Sequence, residues 1–245
     1  MRELTDLTMI CADTTRSRAY LQNLVRAGLR PARVLAMTRP DADLPGQARD
    51  LLPVAPGIAE HDDLWRMAHF DPNTKLADDL NAIGAPVDWL VETDINDPAV
   101  VDALSSAPGG VALYSGFGGQ ILRDNVLNVG KRILHVHGGY LPTFRGSTTN
   151  YYSLLAEGTL GASAIFMTAE IDAGPILMRR KFSAPPDKTC MDHLHDSAAR
   201  AVVLLDTLSA WIETGEWPVV HPGPDEVART YYVIHPALKH VAIYT

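Results

Sequence analysis

The chain has 245 residues, 47% hydrophobic and 20% charged, the balance of a globular protein large enough to bury its own core without staples. A formal net charge of -8, with no run of five or six like charges, argues against nucleic-acid binding, whose affinity comes from cations neutralising phosphates. Two cysteines far apart, Cys11 and Cys190, form no CxxC pair, and the polar start and the lack of an apolar run near ~18 residues point to a soluble cytoplasmic protein without membrane contact.

Leu7 to Ala12 is an apolar run of strand-forming types, and Asp13-Thr14-Thr15 after it suits a helix N-cap. Tyr20, Leu21, Leu24 and Val25 repeat at helical spacing up to Gly28, and Arg33 to Met37 reads as a second strand. This β-α-β opening favours a parallel sheet. Thr38 to Pro56, rich in Pro, Asp and Gly, reads as a loop or insertion. Val87 to Val91 is a strand, Asp97-Pro98 opens a helix through Leu104, and Gly110 to Tyr114 is a further strand. The turn Gly116-Phe-Gly-Gly119 does not complete GxGxxG, because Ile121 stands at the third glycine, and it lies in mid-chain. It therefore gives little support to a dinucleotide site, and more to a strand end where backbone approaches a helix or flat ligand closely.

Ile133 to His137 is the next strand, broken by Gly138-Gly139. Asn150 to Ala156 is helical, and Ala162 to Thr168 and Ile176 to Phe182 are strands. Asp192 to Ile212 is the longest helix, with Leu194, Ala198, Ala201, Leu204, Leu205 and Leu208 on one stripe and Gly215 closing it. This alternation predicts an α/β fold, a mostly parallel sheet flanked by helices, with residues 213–245 as a short C-terminal extension.

Ligands of open α/β sheets sit outside the carboxyl ends of the strands, which is where His137 falls. His135 and His137, two residues apart on a strand, face the same side. Asp172 lies in the loop Glu170-Ile-Asp-Ala-Gly-Pro175. A histidine and a carboxylate at a crevice can move protons, yet a strand-end histidine also serves structure, and an Asp before Ala-Gly-Pro also forms turns. Spacing alone does not join the two. Arg145-Gly146 reads equally as an arginine packed over a turn or as a contact to an anionic substrate.

The run His137-Gly-Gly-Tyr-Leu-Pro-Thr-Phe-Arg-Gly146 resembles the HxSLLPxxRG core of the folate-dependent formyltransferases. That family includes methionyl-tRNA, glycinamide ribonucleotide and sugar-nucleotide N-formyltransferases. Gly161 to Leu177 resembles its TG(V/A)(T/S)…DxGpIl segment, and Gly119-Gln-Ile-Leu122 its YGqil loop. The resemblance covers about sixty residues; the first hundred match only in β-α-β rhythm. It implies a Rossmann-like catalytic domain over 1–212 that uses 10-formyltetrahydrofolate as co-substrate and no metal. It implies that His137 assists formation and collapse of a tetrahedral intermediate, oriented by Asp172. Backbone at Gly119, Gln120, Ile121 and Leu122 and at Glu170 and Ile171 would hold the pterin. Arg145, Gly139 and Tyr140 would face the substrate. The acceptor it favours is a small-molecule amine, an amino sugar nucleotide or natural-product intermediate, because only a short extension follows the long helix and the chain is acidic. A homo-oligomer is compatible with all of this.

This chain departs from the family pattern at three places. His135 stands where the pattern has Asn, the donor to the formyl oxygen, and the loss of such a donor costs about 10²–10³ in rate unless the imidazole replaces it. Gly138 replaces a proline, and Arg123 follows Leu122 where a proline is usual. Three alternatives follow: a formyl hydrolase, a folate- or nucleotide-binding protein without turnover, and a metal-dependent hydrolase built on His135 and His137 with His193 or His195.

Overall fold

The computed structural model describes residues 1–39, 52 and 62–245. Most of the loop expected over Thr38–Pro56 therefore lies outside the described residues. Among the described residues the sheet has seven strands: β1 (Arg2–Ala12), β2 (Leu29–Met37), β3 (Val87–Leu90), β4 (Val111–Ser115), β5 (Arg132–His137), β7 (Thr159–Phe166) and β8 (Ile176–Ser183). Their order is β3-β2-β1-β4-β5-β7-β8. The pairs β2–β3, β1–β2, β1–β4 and β4–β5 are parallel, and β7–β8 is antiparallel. The α/β class and the mostly parallel sheet are as the sequence implies.

Two compact units divide the chain, one of residues 1–53 and 70–134, the other of residues 54–69 and 135–245. In the first, Met9, Ile10, Val34, Leu35 and Leu113 are fully buried, the continuous apolar runs of strands covered on both faces. Helix α1 (Thr15–Arg26) begins at Thr14, whose extended backbone lets its hydroxyl accept from the Ser17 amide, and it stops before Gly28 at φ 69°. It buries Tyr20, Leu21 and Leu24. Strand β1 starts at Arg2, five residues before the apolar run. Leu4 is the buried residue of that polar lead, which pairs with β2 ahead of a register irregularity between Leu4 and Thr8. A helix at Leu76–Ile83, α3, packs against α1. Helix α4 (Pro98–Ser106) is capped by Asp97 as expected, its carboxylate accepting from Ala99 N.

In the second unit, α2 (Asp63–Ala68) precedes the strands, and α6 (Thr149–Glu157) packs against β7. The long helix α7 runs from Asp196 to Thr214 and packs on β7, β8 and α2. Its first turn, expected from Asp192, is a wider π turn at Met191–His195. The ring of His195 explains why this segment leaves α geometry: Nε2 reaches Asp187 O at 2.8 Å and Nδ1 lies 3.1 Å from Asp62 Oδ2. Residues 213–245 are tied into this unit. Val220 bridges Ile176, and β9 (Thr230–Tyr231) pairs in parallel with β6 (Arg145–Gly146). A final helix, α8, spans Pro236–Tyr244 and packs against α6. Among the described residues no helix is long and apolar enough to cross a membrane.

Asp62 and His195 are 3% and 0% exposed. Burial alone would raise the Asp62 carboxyl, but His195 and the Trp65 and Leu64 amides hold it below the usual carboxylate range. Its stabilising contribution is present above the ordinary carboxyl value near ~3.9 and is lost as pH falls through the lower folded value. Asp62→Asn should therefore lose roughly 1.5–3 kcal/mol at neutral pH, the worth of a buried hydrogen bond to a charged group. The difference from the parent in thermal melts should shrink on acidification.

Candidate active site

His137 ends β5 with its ring buried. Nε2 lies 2.7 Å from Phe144 O and 3.5 Å from Thr149 Oγ1, and Nδ1 lies 3.3 Å from Asp172 Oδ2. A carbonyl oxygen only accepts, so Nε2 carries the hydrogen of the neutral ring, an assignment made from its partner. The basic nitrogen is then Nδ1, beside the carboxylate. Burial pulls the imidazole below the usual histidine value; Asp172 opposes this, and Arg200 adds to it. The ring is thus a neutral base near pH 7, with a carboxylate placed to share any proton it takes up.

Both partners are held by backbone. Asp172 sits in the left-handed region at φ 49°, and its Oδ2 accepts from Gly146 N at 2.8 Å. Gly146, at φ 98°, belongs to β6, and a Cβ there would collide with Tyr231 O of β9. The glycine after Arg145 thus serves the close approach of the C-terminal strand. The Asp172 loop is closed by Phe166 N donating to Pro175 O at 3.2 Å, and a Cβ at Gly174 would strike Phe166 O.

The Gly138–Phe144 loop folds around the ring. Gly139 is buried, and a Cβ there would lie 2.6 Å from both His137 Nε2 and Phe144 O. Ser163 Oγ donates to Gly139 O at 2.8 Å and accepts from Leu141 N at 3.0 Å. Thr149 Oγ1 donates to Gly138 O. Tyr140 is half-buried, with Arg179 and Lys181 over its ring at 4.6 and 4.9 Å from the centroid. Arg179 donates to Leu141 O at 2.7 Å and forms a forked pair with Glu226 of the extension at 2.7 and 2.9 Å. Arg145 keeps its guanidinium half-buried, 3.4 Å from the exposed Glu170 carboxylate. Ser163 matches the (T/S) of the quoted family segment. Thr149, the Phe144 carbonyl and Tyr231 carry no sequence signal, because each acts through backbone or a single hydroxyl.

His135 is half-buried on β5. Both ring nitrogens of His195 are engaged by Asp187 and Asp62, which removes it from a ligand set with His135 and His137. Among the described residues no group of three His, Cys, Asp or Glu could hold a metal ion.

In the first unit, Gly119 takes φ 77° with open space where a Cβ would stand. Gln120 accepts from Ile95 N at 3.0 Å and donates to Thr93 O, so its side chain braces the Thr93–Ile95 turn. Asn96 grips the same loop, donating to Ile121 O at 3.0 Å and accepting from Arg123 N at 2.7 Å. Leu122 is buried, and Ile121 is 68% exposed. In the second unit Ile171 is 54% exposed.

A family model described as formyl transferase matches residues 52–203. Methionyl-tRNA formyltransferase from Synechococcus sp. (strain JA-3-3Ab) is 30% identical over 170 residues, covering 69% of this chain and 50% of that protein. The protein of that name from Herpetosiphon aurantiacus is 37% identical over 108 residues, 43% of this chain and 34% of its own length. The chain spans about half the length of the first of these curated relatives. Among solved structures, a sugar N-formyltransferase from Shewanella sp. aligns with a TM-score of 0.56 at 14% identity, over 97% of this chain and 86% of that one. A phosphoribosylglycinamide formyltransferase from Anaplasma phagocytophilum aligns with a TM-score of 0.53 at 13% identity, over 92% and 97%. At these identities the structural likeness is one of fold.

The site makes a testable statement about charge. Removing the anion that favours the imidazolium, in Asp172→Asn, should move the His137 titration midpoint further down, read from its ring proton shifts by NMR. A midpoint that rises or stays would contradict the Nδ1–Asp172 contact.

Proposed function

The chain belongs to the formyl transferase family, and on that premise we propose that it moves a formyl group from 10-formyltetrahydrofolate to the amine of a small molecule, an amino sugar nucleotide or natural-product intermediate. The observation that carries this reading is the buried pair of His137 and Asp172, a neutral base with a carboxylate 3.3 Å from its basic nitrogen. As the amine nitrogen bonds to the formyl carbon it must lose a proton. His137 Nδ1 takes that proton, and Asp172 stabilises the imidazolium that results. The bond between the formyl carbon and the donor nitrogen breaks, and that nitrogen takes the proton back from the His137 imidazolium, so bonds and protons balance. Nε2 stays on Phe144 O throughout and keeps the ring from turning.

Each unit, taken by itself, carries a stretch of the kind a flat heteroaromatic donor uses. The Gly119–Leu122 loop presents Ile121 and an open glycine backbone, and the Glu170–Asp172 loop presents Ile171. Exposed isoleucines of this kind give a pterin face something apolar to lie on. When bound, the donor supplies the activated formyl carbon. His135, on the same face of β5 as His137, is the group we assign to the formyl oxygen, where an imidazole N–H takes the place of an amide. Arg145 is the substrate contact we favour, for an anionic group on the acceptor. The net charge of -8 favours a small acceptor over a nucleic acid.

The test is incubation of the protein with 10-formyltetrahydrofolate and a panel of amines, read by mass gain of one formyl group. No gain with any amine and no folate binding would reject the reading; binding without gain would favour the non-catalytic alternative. His137→Ala should lower transfer by roughly 10²–10⁴-fold. His135→Asn should retain or raise activity, and a loss as large as that of His137→Ala would give His135 a role of its own.

A further inference from the structure

Behind the His137 turn lies a polar cluster that the reaction above does not use. Arg200 of α7 donates from Nη1 to Val136 O at 2.8 Å, on the peptide that leads into His137. Its Nε donates to Asp196 Oδ2 at 2.7 Å, one turn earlier on the same helix. Asn150 of α6 donates to Asp196 Oδ1 at 2.8 Å, and its own carbonyl accepts from Gly161 N of β7 at 2.8 Å. Four elements therefore converge on one ion pair. Both side chains are largely buried, 16% exposed for Arg200 and 25% for Asp196.

The residue at 138 makes this approach feasible. A Cβ on Gly138 would collide with Asp196 Oδ1 and the Arg200 guanidinium, so any side chain or proline ring would push the pair away. The glycine that departs from the family pattern and the ion pair under the turn are two halves of one arrangement.

We propose that Arg200 is a positioning residue for the His137 imidazole, set in place by Asp196 and admitted by Gly138. This rests on the reading of His137 as the proton acceptor. The groups facing the ring are Asp172 from the loop before β8, Arg200 and Asp196 from α7, and the Phe144 carbonyl and Thr149 hydroxyl on the Nε2 side. His135 precedes it on its own strand. Within this set Arg200 is the cation, and it disfavours a second positive charge on the ring. Asp172 and Asp196 act in the opposite sense. The clamp on Val136 O holds the ring's backbone while the guanidinium keeps the ring a free base.

The decisive comparison is Arg200→Gln, which carries no charge and, two bonds shorter than arginine, gives up the Val136 O contact. Its His137 midpoint by NMR should move up, and the acidic limb of kcat/KM should move up with it. Arg200→Lys, which keeps the charge and loses the fork, should restore the limb toward the parent. A folded Arg200→Gln protein with an unchanged midpoint, whatever its melting temperature, would overturn the proposal and leave Arg200 a structural residue. If Arg200→Gln does not fold, Asp196→Asn decides. Its midpoint should fall, and an unmoved or raised midpoint overturns the proposal. The NMR midpoint is read without any formyl donor, so it can move as proposed even if no formyl transfer is found.

Discussion

A histidine ring buried at the end of a strand must find partners for both nitrogens inside the protein, and much of the second unit is arranged by that requirement. Nε2 is met by Phe144 O, which needs the Gly138–Phe144 loop folded back over the ring. That fold needs Gly139, because Nε2 and Phe144 O occupy the place of a side chain there. Nδ1 faces Asp172, which accepts from it once the ring is protonated and is itself held by the Gly146 amide. A surface histidine would ask for none of this, and its usual basicity would leave it partly charged near neutral pH.

The same requirement recruits the C-terminal residues. Gly146 can offer its amide to Asp172 because β6 is held by β9, with Arg145 N donating to Arg229 O and Ser147 N to Tyr231 O, each at 2.9 Å. Phe144 and Tyr152 lie against the Tyr231 ring, with centroids 5.5 and 4.6 Å away. Glu226 and Val220 anchor the extension to β8 on either side of Leu177. Residues 213–245 thus form one wall of the second unit, supporting the loop that carries the carboxylate.

The departures from the family pattern differ in character. Gly138 has a physical account in the ion pair that fills the space of a missing ring. His135 keeps a donor at the position of the pattern's amide, with a different reach and the option of a charge. Arg123 in place of proline leaves an amide that donates to Asn96 at 2.7 Å, a bond a proline could not make.

The sequence by itself determined the alternation of strands and helices, since apolar runs and caps such as Thr14 and Asp97 are local signals whose partners lie within a few residues. It also carried His137 and Asp172 as members of a pattern, without showing that they touch. Its boundaries slipped where long-range contacts override local preference. Strand β1 gains its lead by pairing Arg2–Leu4 with β2, and the start of α7 is redrawn because His195 reaches Asp187 and Asp62. The two-residue strands β6 and β9 have no periodicity to read, so only the folded chain reveals them. The tertiary structure alone decided which nitrogen of His137 is left unprotonated, what holds Asp172, and which cation stands behind the ring. Those are properties of distances between residues up to 64 positions apart, such as Val136 and Arg200, and no local pattern encodes them.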